Sequence, residues 1–302
     1  MKKQLPRRTM LKQLGLGSLG LGSLAFGAGA LSSFIPKEDM KENTDFHFKG
    51  NINHSVCQWT YNFLSLDDLC QAVKRIGFNA IDLLGPKDWP VIQKYGIYSS
   101  MCYIDGPISL TNGFNDKNFH ADLVKRYLDV IPLMVTAGYT DVICFSGSRN
   151  GMDDETGLKN CVEGLQQIMP LAEKSGITVQ MELLNSKINH HDYMCDNHKW
   201  GVELCKRLGS PNFKLLYDIY HMQIDEGDVI RTIRDNAQYF GHYHTGGVPG
   251  RNEIDETQEL YYPAIMKAIV ATGFKGYVAQ EFIPIAADKV ASLKRAVEIC
   301  DV

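Results

Sequence analysis

The stretch KLLYDIYHM, residues 214 to 222, is an apolar run as long as a buried β-strand, yet it contains Asp218 and His221. A buried carboxylate is costly unless it is paired or bound to a metal, so this run raises a question about function as well as folding. Further strand-like runs of similar character occur along the chain from residue 54 onward. They are 54–60, 80–85, 97–104, 141–148, 177–185, 239–246 and 277–282.

Segments with helical periodicity connect these runs, for example SLDDLCQAVKRIG at 65–77. Glycines stand where such helices would end: Gly77, Gly96, Gly138, Gly176, Gly209 and Gly273. Strands that alternate with helices in this way over about 250 residues predict an α/β fold, a parallel (β/α)8 TIM barrel. An open doubly wound sheet is the runner-up. It would carry a glycine-rich phosphate loop after its first strand, where this chain reads TYNFLSLDD (60–68).

The first thirty residues differ from the rest, with KKQLPRR followed by the apolar, glycine-rich LGLGSLGLGSLAFGAGA (14–30). Because Arg7 and Arg8 precede this apolar segment, it resembles a twin-arginine export signal. We therefore expect a signal peptide over 1–30, a flexible tether over 31–50 and a catalytic barrel over 51–302, exported to the periplasm or beyond it. The alternative is an uncleaved membrane anchor. After cleavage we expect no stable membrane span.

The net charge and the cysteine content limit the classes of partner and of covalent cross-link to be expected. The net charge is -4 and no Lys or Arg run interrupts the barrel, which disfavours nucleic acid as a partner. The eight cysteines include no CxxC pair, so we expect small core side chains rather than a disulfide framework. A small molecule is the expected partner, and assembly into a homo-oligomer is left open.

Polar residues lie toward the C-terminal ends of the last four predicted strands, and these ends meet in one pocket in a barrel of this type. They are Glu182, Asp218, His244 and Glu281. Three carboxylates beside one imidazole would repel one another unless a cation compensates them. This oxygen-rich set with one His suits a single divalent ion, Mn²⁺ or Mg²⁺ first, with Co²⁺ or Zn²⁺ as alternatives. The structural alternative is that each acid pairs separately with a Lys or Arg.

Two further residues are candidates for substrate binding. His221 follows Asp218 closely and could donate a hydrogen bond to a substrate oxygen, or it could be a core histidine bonded to a carbonyl. Arg251, in the loop VPGRNEID, could hold a carboxylate or a pair of hydroxyls, or it could be solvated. Trp59, Tyr61 and Tyr103 are candidates for the apolar wall of a pocket or for core packing. His242 is left without a ligand role.

At MELLN, YDIYHMQ, GHYH with PGRNEID, and YVAQEF the chain resembles the hydroxypyruvate isomerase family. That family lies within the xylose isomerase-like barrels, which also include ketose 3-epimerases and endonuclease IV. The resemblance implies that Glu182, Asp218, His244 and Glu281 bind the metal. It further implies that Glu182 and Glu281 are the catalytic acid and base, while His221 and Arg251 contact substrate.

The chain departs at one position from the hydroxypyruvate isomerase pattern and at another from the ketose epimerase pattern, so its site mixes features of both. Hydroxypyruvate isomerases often have Gln where His244 stands, whereas ketose epimerases have His. The epimerases also place a Glu shortly after the strand-five glutamate, where this chain reads SKINHHD (186–192). We expect a metal-dependent isomerase of a sugar or hydroxy-keto acid that acts through an enediolate, as in conversion of hydroxypyruvate to tartronate semialdehyde. The alternatives are a ketose 3-epimerase and a non-catalytic exported sugar-binding barrel. A phosphodiesterase of the endonuclease IV kind is disfavoured because it needs many more His ligands.

Overall fold

The computed structural model describes residues 46–104, 106 and 109–302, in which β-strands alternate with helices along the chain. The strands are β1 (Asn53–Val56), β2 (Ala80–Leu84), β3 (Tyr98–Cys102), β4 (Asp141–Cys144), β5 (Thr178–Glu182), β6 (Phe213–Asp218), β7 (Phe240–Thr245) and β8 (Tyr277–Gln280). The helices are α1 (Leu66–Ile76), α2 (Trp89–Gln93), α3 (His120–Ala137), α4 (Asp154–Leu165), α5 (Met169–Ser175), α6 (His198–Leu208), α7 (Ile219–Asp225), α8 (Val229–Asn236), α9 (Tyr262–Ala271) and α10 (Lys289–Cys300).

All neighbouring strands pair in parallel, in the order β1-β8-β7-β6-β5-β4-β3-β2. An isolated parallel bridge between Cys57 and Asp82 joins the two outer strands, β1 and β2, and closes the ring. The predicted (β/α)8 barrel is confirmed. The C-terminal ends of the strands therefore open toward one shared mouth, which is where barrels of this type place their functional residues.

Local signals explain where the helices begin and end. The Ser65 side chain accepts a hydrogen bond from the Asp68 N–H at 3.1 Å, which caps the first turn of α1. Gly77 ends the helix in the left-handed conformation, with φ +108°, and donates its N–H to the Val73 carbonyl. Lys74 and Arg75 lie in the last turn, where a positive charge is favourable.

Strand alternation places selected polar residues inside the barrel. His242 and His244 lie two residues apart in β7 and are both buried, so they face the same way. Tyr243 between them packs on the opposite side against Phe274, with ring centroids 4.8 Å apart. The barrel interior is thus partly polar, while the layer between strands and helices holds the main apolar core.

The predicted strand over 214–222 is too long. β6 ends at Asp218, and residues 219–225 form helix α7. The Asp218 side chain accepts a hydrogen bond from the His221 N–H at 3.2 Å, so the acid acts as the helix N-cap and stops the strand. His221 consequently lies in the first turn of a helix rather than on a strand.

The predicted signal over 1–30 and most of the predicted tether over 31–50 lie outside the described residues. The last residues of that tether contact the barrel, because Lys49 donates its backbone N–H to Asp301 at 2.9 Å and Phe48 packs against His54. All eight cysteines are free and buried, as expected for core side chains. Within the described part of the chain, no helix has both the length and the apolar character needed to cross a membrane.

Candidate active site

The four predicted metal ligands meet at the mouth of the barrel. Glu182 is the last residue of β5, Asp218 the last of β6, His244 lies in β7, and Glu281 directly follows β8. One ligand atom from each lies within 4.8 Å of the others, and all four side chains are buried. The Glu281 N–H bonds to the Thr245 carbonyl at 3.1 Å, which continues the sheet to the point where the acid enters the site.

The two nitrogens of His244 face different sides of the site. Nδ1 lies 2.7 Å from Glu281 Oε2 and 3.2 Å from Glu182 Oε1. Nε2 lies 2.8 Å from Asp82 Oδ2, on the side that faces the barrel interior. Nδ1 is therefore the atom that could join the carboxylates in binding a cation.

Arg251 reaches the same carboxylates from the loop after β7. Its Nη2 lies 3.1 Å from Asp218 Oδ2 and also pairs with Glu281 Oε2. The guanidinium carbon lies 5.3 Å from the Trp59 ring centroid and 5.4 Å from that of Tyr220, within cation–π range. The Arg251 backbone has φ +60°, an uncommon conformation for a residue with a side chain, and its carbonyl accepts from the Ile283 N–H at 2.6 Å.

His221 is oriented by Asn185. The Asn185 Oδ1 accepts hydrogen bonds from the Ile188 and Asn189 backbone N–H groups at 3.1 and 2.9 Å, which fixes the direction of the amide. Its Nδ2 then faces His221 Nδ1 at 2.6 Å, so Nδ1 accepts and the proton lies on Nε2. His221 Nε2 is buried and lies 3.6 Å from Asp218 Oδ2, and it has no hydrogen-bond partner among the residues that the structure describes. His221 is therefore a ready donor beside the carboxylates.

Burial and neighbouring charges change the pKa values of the clustered acids. Burial raises the pKa of Asp218, and Glu281 adds to the rise although Arg251 opposes it. Burial also raises the pKa of Glu182. At Glu281 burial is outweighed by Arg251 and His244, which hold its pKa well below the usual range. If all three were ionised, these carboxylates would carry more negative charge than His244 and Arg251 balance, and a bound divalent cation would relieve that excess.

The donor set fits such a cation. Three buried carboxylates and one imidazole nitrogen lie close enough to share a single ion, and oxygen ligands favour Mn²⁺ or Mg²⁺. The nearby thiol of Cys57 lies 3.8 Å from Nε2 of His244, on the other side of the ring from Nδ1. Burial raises the pKa of that thiol well above its usual range, so it is not a ready thiolate ligand.

The other sequence candidates divide between site and core. Trp59 belongs to the site, because its Nε1 donates to Glu281 Oε1 at 2.7 Å. Tyr61 is fully buried, packs against Phe282 and donates its hydroxyl to the Lys289 carbonyl, so it is a core residue. Tyr103 packs on a small cluster inside the barrel.

Several residues of the site were not singled out from the sequence. Asp82 contacts His244. The sequence feature that could have identified it is an acid within the apolar run AIDLLG (80–85), which is the same feature that marks Asp218. The His190 ring lies 5.1 Å from that of His221. Asn185 follows β5 by three residues, but its role depends on a loop conformation that the sequence pattern does not reveal.

Comparison with known proteins agrees with this architecture. The model of the xylose isomerase-like TIM barrel family matches residues 70–299. A solved structure of an AP endonuclease, family 2, from Brucella melitensis superimposes with a TM-score of 0.72 over 80% of this chain and 96% of its own. Its sequence identity is 21%, so this likeness shows the fold alone.

Curated relatives match over shorter stretches. A 2-oxo-tetronate isomerase from Cupriavidus necator is 33% identical over 41% of this chain and 46% of its own length. A putative hydroxypyruvate isomerase from Homo sapiens is 28% identical over 41% of this chain and 44% of its length. A D-psicose 3-epimerase from Ruminiclostridium cellulolyticum is 27% identical over 55% of each chain. The chain thus spans about half the length of the curated relatives that it matches.

Proposed function

Because the chain belongs to the xylose isomerase-like TIM barrel family, we propose that it is a metal-dependent isomerase of a small sugar or hydroxy-keto acid. The proposed reaction moves a proton between adjacent carbons through an enediolate, as in conversion of hydroxypyruvate to tartronate semialdehyde. The names of the relatives from Cupriavidus necator and Homo sapiens support an isomerase of hydroxy-keto acids. The proposed cofactor is one Mn²⁺ or Mg²⁺ ion.

One observation carries this proposal: Glu182, Asp218, His244 and Glu281 converge, buried, at the C-terminal mouth of the barrel. Bound there, a divalent cation would supply Lewis-acid polarisation of a carbonyl and stabilise the charge of the enediolate. The structural alternative was that each acid forms a separate ion pair, and the contacts do not have that arrangement. The carboxylates instead share His244 and Arg251.

The side chains around the cluster have distinct proposed tasks. Either Glu182 or Glu281 takes the proton from carbon, and the other acid, or the same acid after rotation, returns it. His221 donates Nε2–H to a substrate oxygen, since Asn185 occupies its Nδ1. Arg251 binds substrate oxygens, and its contacts with Trp59 and Tyr220 keep the guanidinium in place.

Two other functions remain as alternatives. A ketose 3-epimerase would use the same residues and return the proton to the opposite face of one carbon; the match to the D-psicose 3-epimerase favours it. A non-catalytic barrel would bind a sugar without exchanging its carbon-bound protons. The three functions differ in the product formed: an isomer, a C3 epimer or no product.

The test is to incubate the Mn²⁺-loaded protein with hydroxypyruvate, tartronate semialdehyde and common free ketoses, and to identify the products by NMR and chromatography. Interconversion of hydroxypyruvate and tartronate semialdehyde supports the proposed isomerase. Conversion of a ketose to its C3 epimer instead identifies the epimerase. Binding of a sugar with no product from any compound contradicts both enzymatic functions.

We expect Arg251→Lys to lower kcat/KM about 10- to 100-fold, mainly through KM, because charge-assisted hydrogen bonds of about 1.5–3 kcal/mol are lost. Lysine has neither the planar fork nor the stacking surface of arginine. Steady-state kinetics with a hydroxy-keto acid and with a neutral ketose measure the effect. A larger loss for the acid shows that Arg251 binds a carboxylate.

The matched control is Arg234→Lys on the exposed side of α8, for which unchanged kinetics are expected. If Arg251→Lys behaves like this control with every substrate, Arg251 does not bind substrate.

The export of the protein is also a proposal, since the residues concerned lie outside the described part of the chain. We propose that residues 1–30 direct twin-arginine export to the periplasm and that residues 31–302 are the mature chain. Replacing Arg7 and Arg8 with Lys in the full chain is expected to retain the protein in the cytoplasm. Unchanged periplasmic recovery on cell fractionation would contradict this route.

A further inference from the structure

Asp82 lies on the interior side of the proposed metal site and takes no part in the proposed chemistry. It belongs to β2, on the closing edge of the barrel, and its side chain is fully buried. Its Oδ2 lies 2.8 Å from His244 Nε2. The opposite nitrogen of the same ring, Nδ1, faces Glu182 and Glu281. Asp82 therefore holds the one imidazole of the cluster from behind.

The Asp82 carboxylate is itself fixed by donors. Ser100 donates its hydroxyl to Oδ1 at 2.6 Å, and the Cys57 thiol lies 3.6 Å from Oδ2. His242 Nε2 lies 3.3 Å from Oδ1 but does not have the geometry of a hydrogen bond to it. The Ser100 hydroxyl is in turn 2.5 Å from that of Ser55 on β1. With four groups around it and no exposed surface, this carboxylate has a defined orientation and acts as an acceptor.

Because the Asp82 carboxylate only accepts hydrogen bonds, it determines which nitrogen of His244 would keep its proton when the other nitrogen binds a cation. Both nitrogens of His244 face carboxylate oxygens, Nε2 toward Asp82 and Nδ1 toward Glu182 and Glu281, so each donates in this arrangement. A cation bound by the cluster would take the place of the Nδ1 proton, and Asp82 would keep the proton on Nε2. A second group that fixes the tautomer and the ring plane of a metal-binding histidine also raises the basicity of its ligand nitrogen.

We propose that Asp82 is a positioning residue that presents His244 Nδ1 to the metal. This inference rests on the proposed function, because it assumes that the cluster binds a divalent ion. It adds a residue from β2 to a set of four proposed ligands that come from the ends of β5 to β8. Asp82 does not touch the ion or the substrate, and it acts through His244.

The test compares Mn²⁺ binding by isothermal titration calorimetry for the wild-type protein, Asp82→Asn and a control, Asp141→Asn. We expect one ion per chain in the wild type and a dissociation constant about 10- to 100-fold higher in Asp82→Asn. Asp141 is an acid of the same barrel on β4, held by Gln180 at 2.6 Å rather than by His244. Its replacement removes the same charge and should leave the affinity unchanged.

Each outcome has a separate meaning. Unchanged affinity in Asp82→Asn, with metal bound by the wild type, overturns the role of Asp82 and leaves the proposed function intact. No Mn²⁺ binding by the wild type overturns the metal site and the role of Asp82 together. Two ions per chain in the wild type, with one lost in Asp82→Asn, would make Asp82 a ligand itself and overturn the positioning role.

A second measurement needs no variant and so does not depend on whether Asp82→Asn folds. The wild-type protein is labelled with ¹⁵N at histidine and loaded with diamagnetic Zn²⁺, and long-range ¹H–¹⁵N spectra are recorded. We expect His244 to bind through Nδ1 and to carry its proton on Nε2. A spectrum in which Nε2 of His244 is the bound nitrogen would overturn the inference.

Discussion

Glu281→Gln is expected to lower the rate of substrate turnover by about 10²- to 10⁴-fold, the usual contribution of a general acid or base. Glutamine keeps the size of the side chain and an oxygen that can face a cation, but it cannot accept a proton from carbon. The same loss is expected for Glu182→Gln, because Glu182 is the other member of the proposed acid and base pair. Turnover is measured at saturating Mn²⁺ so that weaker metal binding is offset.

The matched control for both variants is Glu256→Gln, in the exposed loop between β7 and α9. This change removes one acid from the same end of the barrel without touching the cluster, and we expect wild-type rates. Circular dichroism and bound-metal content establish that the variants are folded and loaded. A loaded Glu281→Gln or Glu182→Gln protein with near wild-type turnover would refute the role of that residue.

Removal of the metal is expected to abolish turnover and to lower the melting temperature. Buried carboxylates repel one another, and a bound cation relieves the repulsion that Arg251 and His244 leave uncompensated. At a Mn²⁺ concentration 100 times its dissociation constant, binding stabilises the fold by about 2.7 kcal/mol. In a domain of this size that corresponds to an increase in Tm of about 5–11 °C. Differential scanning calorimetry with Mn²⁺ and with a chelator measures it.

The variant Asp218→Asn provides the comparison, because it removes one proposed ligand and one of the repelling charges. We expect a clearly smaller increase in Tm on addition of Mn²⁺ to this variant. Equal increases in both proteins would place the stabilising ion elsewhere in the molecule. No increase in the wild type, together with full turnover in chelator, would contradict a metal-dependent reaction.

Much of this fold can be predicted from the sequence, because a parallel barrel repeats one simple unit. Buried strands appear as short apolar runs, and each helix carries its own end signals, as Ser65 and Gly77 show for α1. The meeting of Glu182, Asp218, His244 and Glu281 could be predicted for the same reason. Each lies at the end of its strand, and in this topology those ends meet whatever their separation in sequence.

The limits of the sequence are physical as well. The run IYHM after Asp218 is equally compatible with a strand and with one turn of a buried helix, so only the capping hydrogen bond decides the end of β6. The position of Arg251 depends on a left-handed backbone and on a hydrogen bond to Ile283. Such loop geometry leaves no periodic signal.

Asp82 was missed for a different reason. The cluster was expected at the C-terminal ends of the last four strands, and β2 is not one of them. The ring closes between Cys57 on one side and Asp82 on the other, which brings β2 next to the histidines of β7. A buried acid needs a hydrogen-bond partner, an opposite charge or a metal, and this holds for Asp82 in AIDLLG as it does for Asp218 in KLLYDIYHM.

The most direct test of enediolate chemistry at this site is exchange of the substrate's carbon-bound proton with solvent. Residues 31–302 are incubated with Mn²⁺ and hydroxypyruvate or a ketose in D₂O, and deuterium at the carbon beside the carbonyl is followed by NMR. We predict enzyme-dependent incorporation that stops on chelation and is lost in loaded Glu281→Gln. A metal-loaded wild-type protein that binds a substrate from this group and incorporates no deuterium into it would contradict the account.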